Sequence, residues 1–236
     1  MRIIILSREK TFLFLYLLGI LFCLPLLLPY FLGTEFTEGK LHRTSVVIDP
    51  GHGGVDGGTK DRQGNLEKDI NLDLALKIRA QLQQSGLNVP MTRETDTELS
   101  PFIPGRTGRH RRDLLARIAK AKTSKSLFIV SIHCDWSTDR TRRGMVAFYN
   151  YRNPSSKKLA LIIQEELNKT QTIPQKAAPG SYFILEQPGI TGVLIEVGFL
   201  SHPEEATLLQ TQNYREKIAL SISKGILRYL QTISSN

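Results

Sequence analysis

The hydrophobic positions of this chain switch repeatedly between two periods. Short β-branched runs read as strands at 45–49, 87–92, 126–133, 144–149, 182–185 and 192–197, and stripes at i, i+4 spacing read as helices between them. Leu66–Ser85 places Ile70, Leu74, Ile78 and Leu82 on one face and meets Gly86 as its stop. Arg111–Lys122 turns Leu114, Leu115, Ile118 and Ala121 inward, and Ser155 caps a helix striped by Leu159, Ile162, Ile163 and Leu167. Ser201-His202-Pro203-Glu204-Glu205 reads as an N-cap followed by first-turn acids, and a last helix runs through Ile218, Ile222, Ile226 and Leu230. Thr95–Gly108 and Thr172–Gly180 read as loops. Ser126–His133 is apolar almost throughout, as in a strand covered on both faces. The alternation predicts an α/β layer fold in a single domain, residues 45–236.

The pattern changes at the N-terminus. Thr11–Leu32 is an uncharged, mostly apolar run of 22 residues, about the span of a bilayer core, and Arg2, Arg8 and Lys10 precede it. Its length exceeds the roughly 7–15 apolar residues of a cleaved signal peptide, which favours an uncleaved signal anchor over residues 1–32. Pro25 and Pro29 would kink a spanning helix and keep the cleaved signal peptide open. Glu35 and Glu38 follow the run in a short linker, residues 33–44. The positive-inside rule then puts the domain outside the cytoplasm, either membrane-anchored or secreted.

Charge narrows the partners. The net charge is +9, of which Arg2, Arg8 and Lys10 against Glu9 account for two, so +7 stays on residues 33–236 and suits an anionic partner. Arg106, Arg109, Arg111, Arg112, Arg117, Lys120, Lys122 and Lys125 cluster with Asp113 as the single acid among them, and read as a solvated helix face or as a contact for a wall polymer or acidic lipid. No aromatic interleaving or reader motif accompanies them, so nucleic acid is not expected. Cys23 lies in the apolar run and cannot pair with Cys134, so no disulfide is expected.

Two strands end in histidine. Val46-Val47-Ile48-Asp49-Pro50-Gly51-His52-Gly53-Gly54 stops at a Gly-rich turn, and the later strand delivers His133. Glu67 opens the first helix within reach of the first strand's end, and two imidazoles with one carboxylate are the ligand set of an open, hydrolytic Zn²⁺ site, though the spacing alone does not establish one. Glu67 also fits a helix N-terminal acid favoured by the macrodipole. Glu196 is the strongest anomaly, an ionisable group inside an apolar strand. It reads as a general base that takes a proton from the attacking water and passes it to a leaving amine, or as an edge residue facing solvent. Asp49 is a candidate to orient His52 or to cap the turn. Gly53–Gly58 has the spacing of a phosphate loop, but Thr59 precedes Lys60 where Lys then Ser/Thr is required.

These residues resemble the zinc-dependent N-acetylmuramoyl-L-alanine amidases of the Amidase_3 type, over essentially residues 45–231. The resemblance rests on Ile48-Asp49-Pro50-Gly51-His52-Gly53-Gly54, Glu67-Lys68-Asp69-Ile70-Asn71-Leu72, Thr92-Arg93-Glu94-Thr95-Asp96, Val130-Ser131-Ile132-His133 and Ile195-Glu196-Val197-Gly198-Phe199-Leu200-Ser201. It implies a twisted, mixed sheet of about six strands flanked by helices, zinc held by His52, Glu67 and His133, catalysis by Glu196, and peptidoglycan as substrate. The bond implied is the amide between the muramic acid lactyl group and L-alanine of the stem peptide. The layout of one apolar N-terminal segment and one compact domain is similar to spore-cortex amidases, which help make muramic-δ-lactam; an accessory protein is left open. Members usually continue from the second His as Ala-Asn, whereas Cys134-Asp135 follow here. Asp135 could support a ligand or weaken the electrophile, while Cys134 should point to the opposite strand face. The competing reading is a catalytically inactive peptidoglycan-binding protein that keeps the fold.

Overall fold

The computed structural model describes residues 45–101, 103 and 108–234. The N-terminal apolar run and the linker lie outside the described residues, and among the described residues no helix is long and apolar enough to cross a membrane. Five strands, β1 (Val46–Pro50), β2 (Phe128–Asp135), β3 (Val146–Tyr149), β4 (Ala178–Pro179) and β5 (Gly192–Phe199), form one sheet in the order β1-β2-β5-β3-β4. β1, β2 and β5 run parallel, β3 is antiparallel to β5, and β4 is parallel to β3. The helices are α1 (Glu67–Gln84), α2 (Arg109–Thr123), α3 (Pro154–Leu167), α4 (Pro203–Leu209) and α5 (Gln212–Ser234).

The parallel centre is apolar on both faces, and the period of two sorts its side chains. Ile48, Val130, Ile132, Val193 and Ile195 are fully buried on one face, where α1 lies against β1 and β2, α3 against β3 and β5, and α5 across α1 and α3. Val47, Ile129 and Leu194 on the other face pack with Ile118 and Ala121 of α2 and with Ile184, Leu185 and Ile190. The stripe expected of the first helix is in place, since Ile70, Leu74, Ile78 and Leu82 are all buried.

Several expectations are corrected. The strand expected at 87–92 joins the sheet only through bridges from Asn88 to Ser45 and from Met91 to Ile48; Pro90 has no N–H to donate, so the ladder is broken and the sheet counts five strands rather than six. Residues 182–185 form a turn instead of a strand, with Leu185 N and Glu186 N donating to Tyr182 O. The apolar pattern there reports burial of Ile184 and Leu185, not extension. Part of the loop expected at 172–180 supplies β4. The cap of α3 is Asn153, whose side chain accepts from Ser156 N, rather than Ser155. In α2, Leu115 is 45% exposed while Asp113 and Arg117 are buried, so the inward face of this basic helix carries an ion pair.

Helix α5 crosses α3 at Gly225, where a Cβ would stand 2.8 Å from the Ile163 Cα. Alanine would gain about 1 kcal/mol of helix propensity, but separating two packed helices costs about 1–3 kcal/mol. Gly225→Ala should therefore lower stability, read as a lower urea midpoint at unchanged m-value.

Candidate active site

The site is built where the parallel strands end. Beyond Pro50 the chain bends, and His52 adopts a left-handed backbone (φ 61°), a conformation that costs a non-glycine residue about 1–2 kcal/mol. Neighbouring Gly51 leaves the space that the second histidine occupies, because a Cβ there would lie 2.2 Å from the His133 ring. β2 brings His133 to the same edge, and the first residue of α1 is Glu67. The two rings meet edge to face with centroids 5.0 Å apart.

Glu67 ties the three elements together. Its Oε1 lies 3.2 Å from His52 Nε2 and 3.0 Å from His133 Nδ1, and it also accepts from Asn71 Nδ2 (3.1 Å) and Cys134 N (3.1 Å). Oε2 accepts from Thr59 N at 2.8 Å. Burial alone would raise this carboxyl, but the hydrogen bonds and charges of the two histidines hold it far below the usual carboxylate range. His52, Glu67 and His133 offer ligand atoms all within 4.8 Å of one another, a group that could hold a metal ion. Two imidazoles and one carboxylate fit Zn²⁺ and leave a coordination position open.

The partner of the outer His52 nitrogen is Asp56, at 3.0 Å from Nδ1. Burial pulls the imidazole down, yet hydrogen bonds to Asp56 and Glu67 outweigh it and raise its pKa to about 9. Neither role expected of Asp49 is found. Its carboxylate is buried and accepts from Thr92 Oγ1 (2.5 Å), Ser131 Oγ (2.6 Å) and Arg117 Nη1 (2.8 Å). Burial raises Asp49, but Arg117 and the two hydroxyls bring it below the ordinary range. Asp56 is recognisable in the sequence only as an acid four residues beyond His52. Arg117 was hidden in the basic run, where its one distinguishing mark is Asp113 four residues earlier.

Glu196 pairs in register with His133 across the parallel β2–β5 ladder, so both side chains leave the same face. Because β5 is flanked by β2 and β3, the edge alternative does not apply. The residue is 8% exposed, and its Oε2 is buried with no hydrogen-bond partner among the described residues. Burial, then the charges of Asp135 and Glu67, push the Glu196 carboxyl well above the usual range. Asp135 accepts from Trp136 N at 2.6 Å; burial raises it as well. Cys134 is buried, its Sγ 3.7 Å from Asn71 Oδ1, and burial first and Glu67 second push its thiol up, away from the thiolate a ligand or nucleophile needs. A cleft of about 230 Å³ opens beside His52 and His133, walled by Leu114, Tyr182, Phe183 and Ile184.

A parallel-centred α/β sheet whose edge gathers a His–Glu–His group able to hold a metal, with an unpartnered glutamate one strand away, defines the class of protein. The chain belongs to the N-acetylmuramoyl-L-alanine amidase family, whose profile matches residues 46–228, and its activity is that of a peptidoglycan amidase. It is 40% identical over 187 residues to the germination-specific N-acetylmuramoyl-L-alanine amidase of Bacillus subtilis, covering 78% of each chain. It also resembles the CwlD amidase from Clostridioides difficile, solved in complex with the GerS lipoprotein, with TM-score 0.77 and 35% identity over 80% of this chain and all of that one. The catalytic domain of CwlV from Bacillus (Paenibacillus) polymyxa matches with TM-score 0.70 and 30% identity, over 80% and 98% of the two chains.

The raised Glu196 carboxyl makes a stability prediction. As pH rises past the ordinary carboxylate value of about 4.3, the unfolded chain loses a proton that the folded chain keeps, so this group costs stability above that pH. In metal-free protein, Glu196→Gln should raise the calorimetric unfolding midpoint at neutral pH and leave it nearly unchanged near pH 4.

Proposed function

We propose that the chain is a zinc amidase that cleaves the amide between N-acetylmuramic acid and the L-alanine of the stem peptide, with His52, Glu67 and His133 as metal ligands and Glu196 as the catalytic base. The observation that carries this reading is the convergence of the three ligand atoms beside a buried glutamate oxygen that has no hydrogen-bond partner among the described residues. Two imidazoles and a carboxylate supply the hard and borderline donors zinc prefers. When bound there, zinc supplies Lewis acidity for the scissile carbonyl. Asp56 fixes the His52 ring through its outer nitrogen, so Nε2 faces the metal position.

The acid–base work falls to Glu196. A carboxyl raised by burial is a stronger base than an ordinary one, and once protonated it keeps its proton at pH values where an ordinary carboxyl would have lost it. It takes a proton from the attacking water, and delivers that proton to the amine of L-alanine as the carbon–nitrogen bond breaks. The products are a free lactyl carboxylate on the glycan and a peptide with an L-alanine N-terminus. The neighbouring carboxylate of Asp135, in place of the asparagine usual in the family, adds to the rise and so strengthens the base.

Residues 1–32 act in this reading as a signal anchor that leaves the domain, residues 45–236, outside the cytoplasm, where its substrate lies; residues 33–44 are the linker. Similarity to a germination-specific amidase supports a role in spore cortex maturation, where removal of the peptide frees muramic acid to close its lactam. A protein partner of lipoprotein type is part of the proposal, supported by the complex in which the Clostridioides difficile relative was solved.

The full-length chain in mild detergent with zinc should release peptides bearing an L-alanine N-terminus from peptidoglycan, identified by mass spectrometry; release of any other bond's products would refute the assignment. Glu196→Ala should lose about 10²–10⁴-fold in rate while binding a full equivalent of zinc, and undiminished rate would remove Glu196 from its role. Expression during sporulation in a Bacillus subtilis strain lacking its germination-specific amidase should restore muramic-δ-lactam to the cortex muropeptides. A cortex still free of lactam would argue for a vegetative role.

A further inference from the structure

Three consecutive backbone carbonyls lead into the site, and two buried guanidiniums hold all of them. Arg117 Nη1 donates to Pro50 O at 2.7 Å and its Nη2 to His52 O at 2.5 Å. Arg93 Nε donates to Pro50 O at 3.1 Å and its Nη2 to Gly51 O at 2.9 Å. Each arginine is 2% exposed. His52, at the end of this run, has the left-handed backbone conformation that a β-carbon disfavours, so something must hold it there.

Arg117 is itself fixed from both sides. Its Nη1 donates to Asp49 Oδ1 at 2.8 Å and its Nε to Asp113 Oδ2 at 2.7 Å. Asp113 Oδ1 accepts in turn from Leu99 N (2.7 Å) and Ser100 N (3.1 Å). Arg93 is likewise anchored, donating to Thr95 O at 3.1 Å and Lys68 O at 2.9 Å. The two side chains come from separate parts of the chain, α2 and the segment after 87–92, and converge on one bend. Charged donors to backbone carbonyls are stronger and more directional than neutral ones, and the planar fork of arginine serves two acceptors at once.

We propose that Arg117, assisted by Arg93, is a positioning residue for the metal centre: it holds the bent backbone of His52 and thereby aims the imidazole at Glu67 and the metal position. The inference rests on the reading of His52 as a metal ligand. Among the described residues the hydrogen bonds of Arg117 go to the Pro50 and His52 carbonyls and to two acids, not to either ring, so it acts on His52 through the main chain. This role accounts for the buried Arg117 in a helix whose Arg111, Lys120 and Lys122 are exposed, and for the paired acids Asp49 and Asp113 that keep its charge inside the fold.

Arg117→Lys separates this role from simple support. Lysine keeps a positive charge between Asp49 and Asp113 but cannot reach the Pro50 and His52 carbonyls with two separate nitrogens. In the full-length chain stripped of metal, zinc affinity is measured by competition with a chromophoric chelator, and Co²⁺ is added as a spectroscopic probe. Arg117→Lys should weaken zinc about 10–100-fold, the range found for groups that orient ligands, and should change the visible Co²⁺ bands. Ile78→Val, a trim in the core of α1 remote from the site, should lower the metal-free unfolding midpoint while leaving zinc affinity within twofold and the Co²⁺ spectrum unaltered. Zinc affinity within twofold of wild type in Arg117→Lys, with an unchanged spectrum, overturns the proposal. So does an equal loss of affinity in Ile78→Val, since general destabilisation would then explain both. Should Arg117→Lys fail to fold, Arg93→Lys carries the same test with the same criteria. A wild-type chain that binds neither ion overturns the metal reading itself, before any variant is compared, and the inference falls with it.

Discussion

The buried carboxylate of Glu67 is the constraint on which the site depends. A carboxylate loses many kcal/mol of hydration when it leaves water, and it persists inside a protein only if its oxygens are fully engaged. Here it accepts from Thr59 N, Asn71 Nδ2 and Cys134 N and faces His52 and His133. Those partners come from the Gly-rich loop, from α1 itself and from the end of β2. Satisfying one side chain thus requires the helix start, the sheet edge and the loop to meet at one point. The position of Glu67 at the first residue of α1 adds the favourable helix dipole. The expectation of a helix N-terminal acid and that of a ligand therefore describe the same residue and do not compete.

A second buried network stands behind the first. Asp49, Thr92, Ser131, Arg117 and Asp113 form a polar layer beneath the bend that carries His52. Both charged layers lie at the C-terminal edge of the parallel strands, which is where α/β sheets build their sites. The remainder of the sheet is apolar on both faces and clamped by helices, so it can bear the cost of these groups without losing its register. Glu196 shows the same economy in reverse. Among the described residues its oxygen is left unpartnered in an apolar strand, a cost to folding that the proposed catalytic role accounts for.

Basic charge turns out to divide by depth. Arg111 and Lys122 belong to the surface of α2, as a solvated helix face should, but Arg117 from the same run is interior and neutralised by two acids. A count of lysines and arginines cannot make that distinction, because the sign of a charge carries no information about its neighbours. Cys134 illustrates the converse. Adjacent to a candidate ligand and chemically able to bind metal, it is disqualified by the period of two that turns it to the opposite face, a property legible without coordinates.

The chain's own pattern determined the α/β class, the limits of α1, the two buried central strands and the four residues His52, Glu67, His133 and Glu196 as candidates. These signals are local: strand period, helix period, and an ionisable group in an apolar run. The tertiary structure alone decided that residues 182–185 turn rather than extend, that Pro90 leaves the outer segment bridged instead of laddered, and that Asp56 rather than Asp49 meets the outer nitrogen of His52. It also decided that Arg93 and Arg117 converge on one bend. Each of these is a contact between residues separated by dozens of positions or a choice set by the space available, and periodicity within a segment records neither which distant side chain arrives nor from which side.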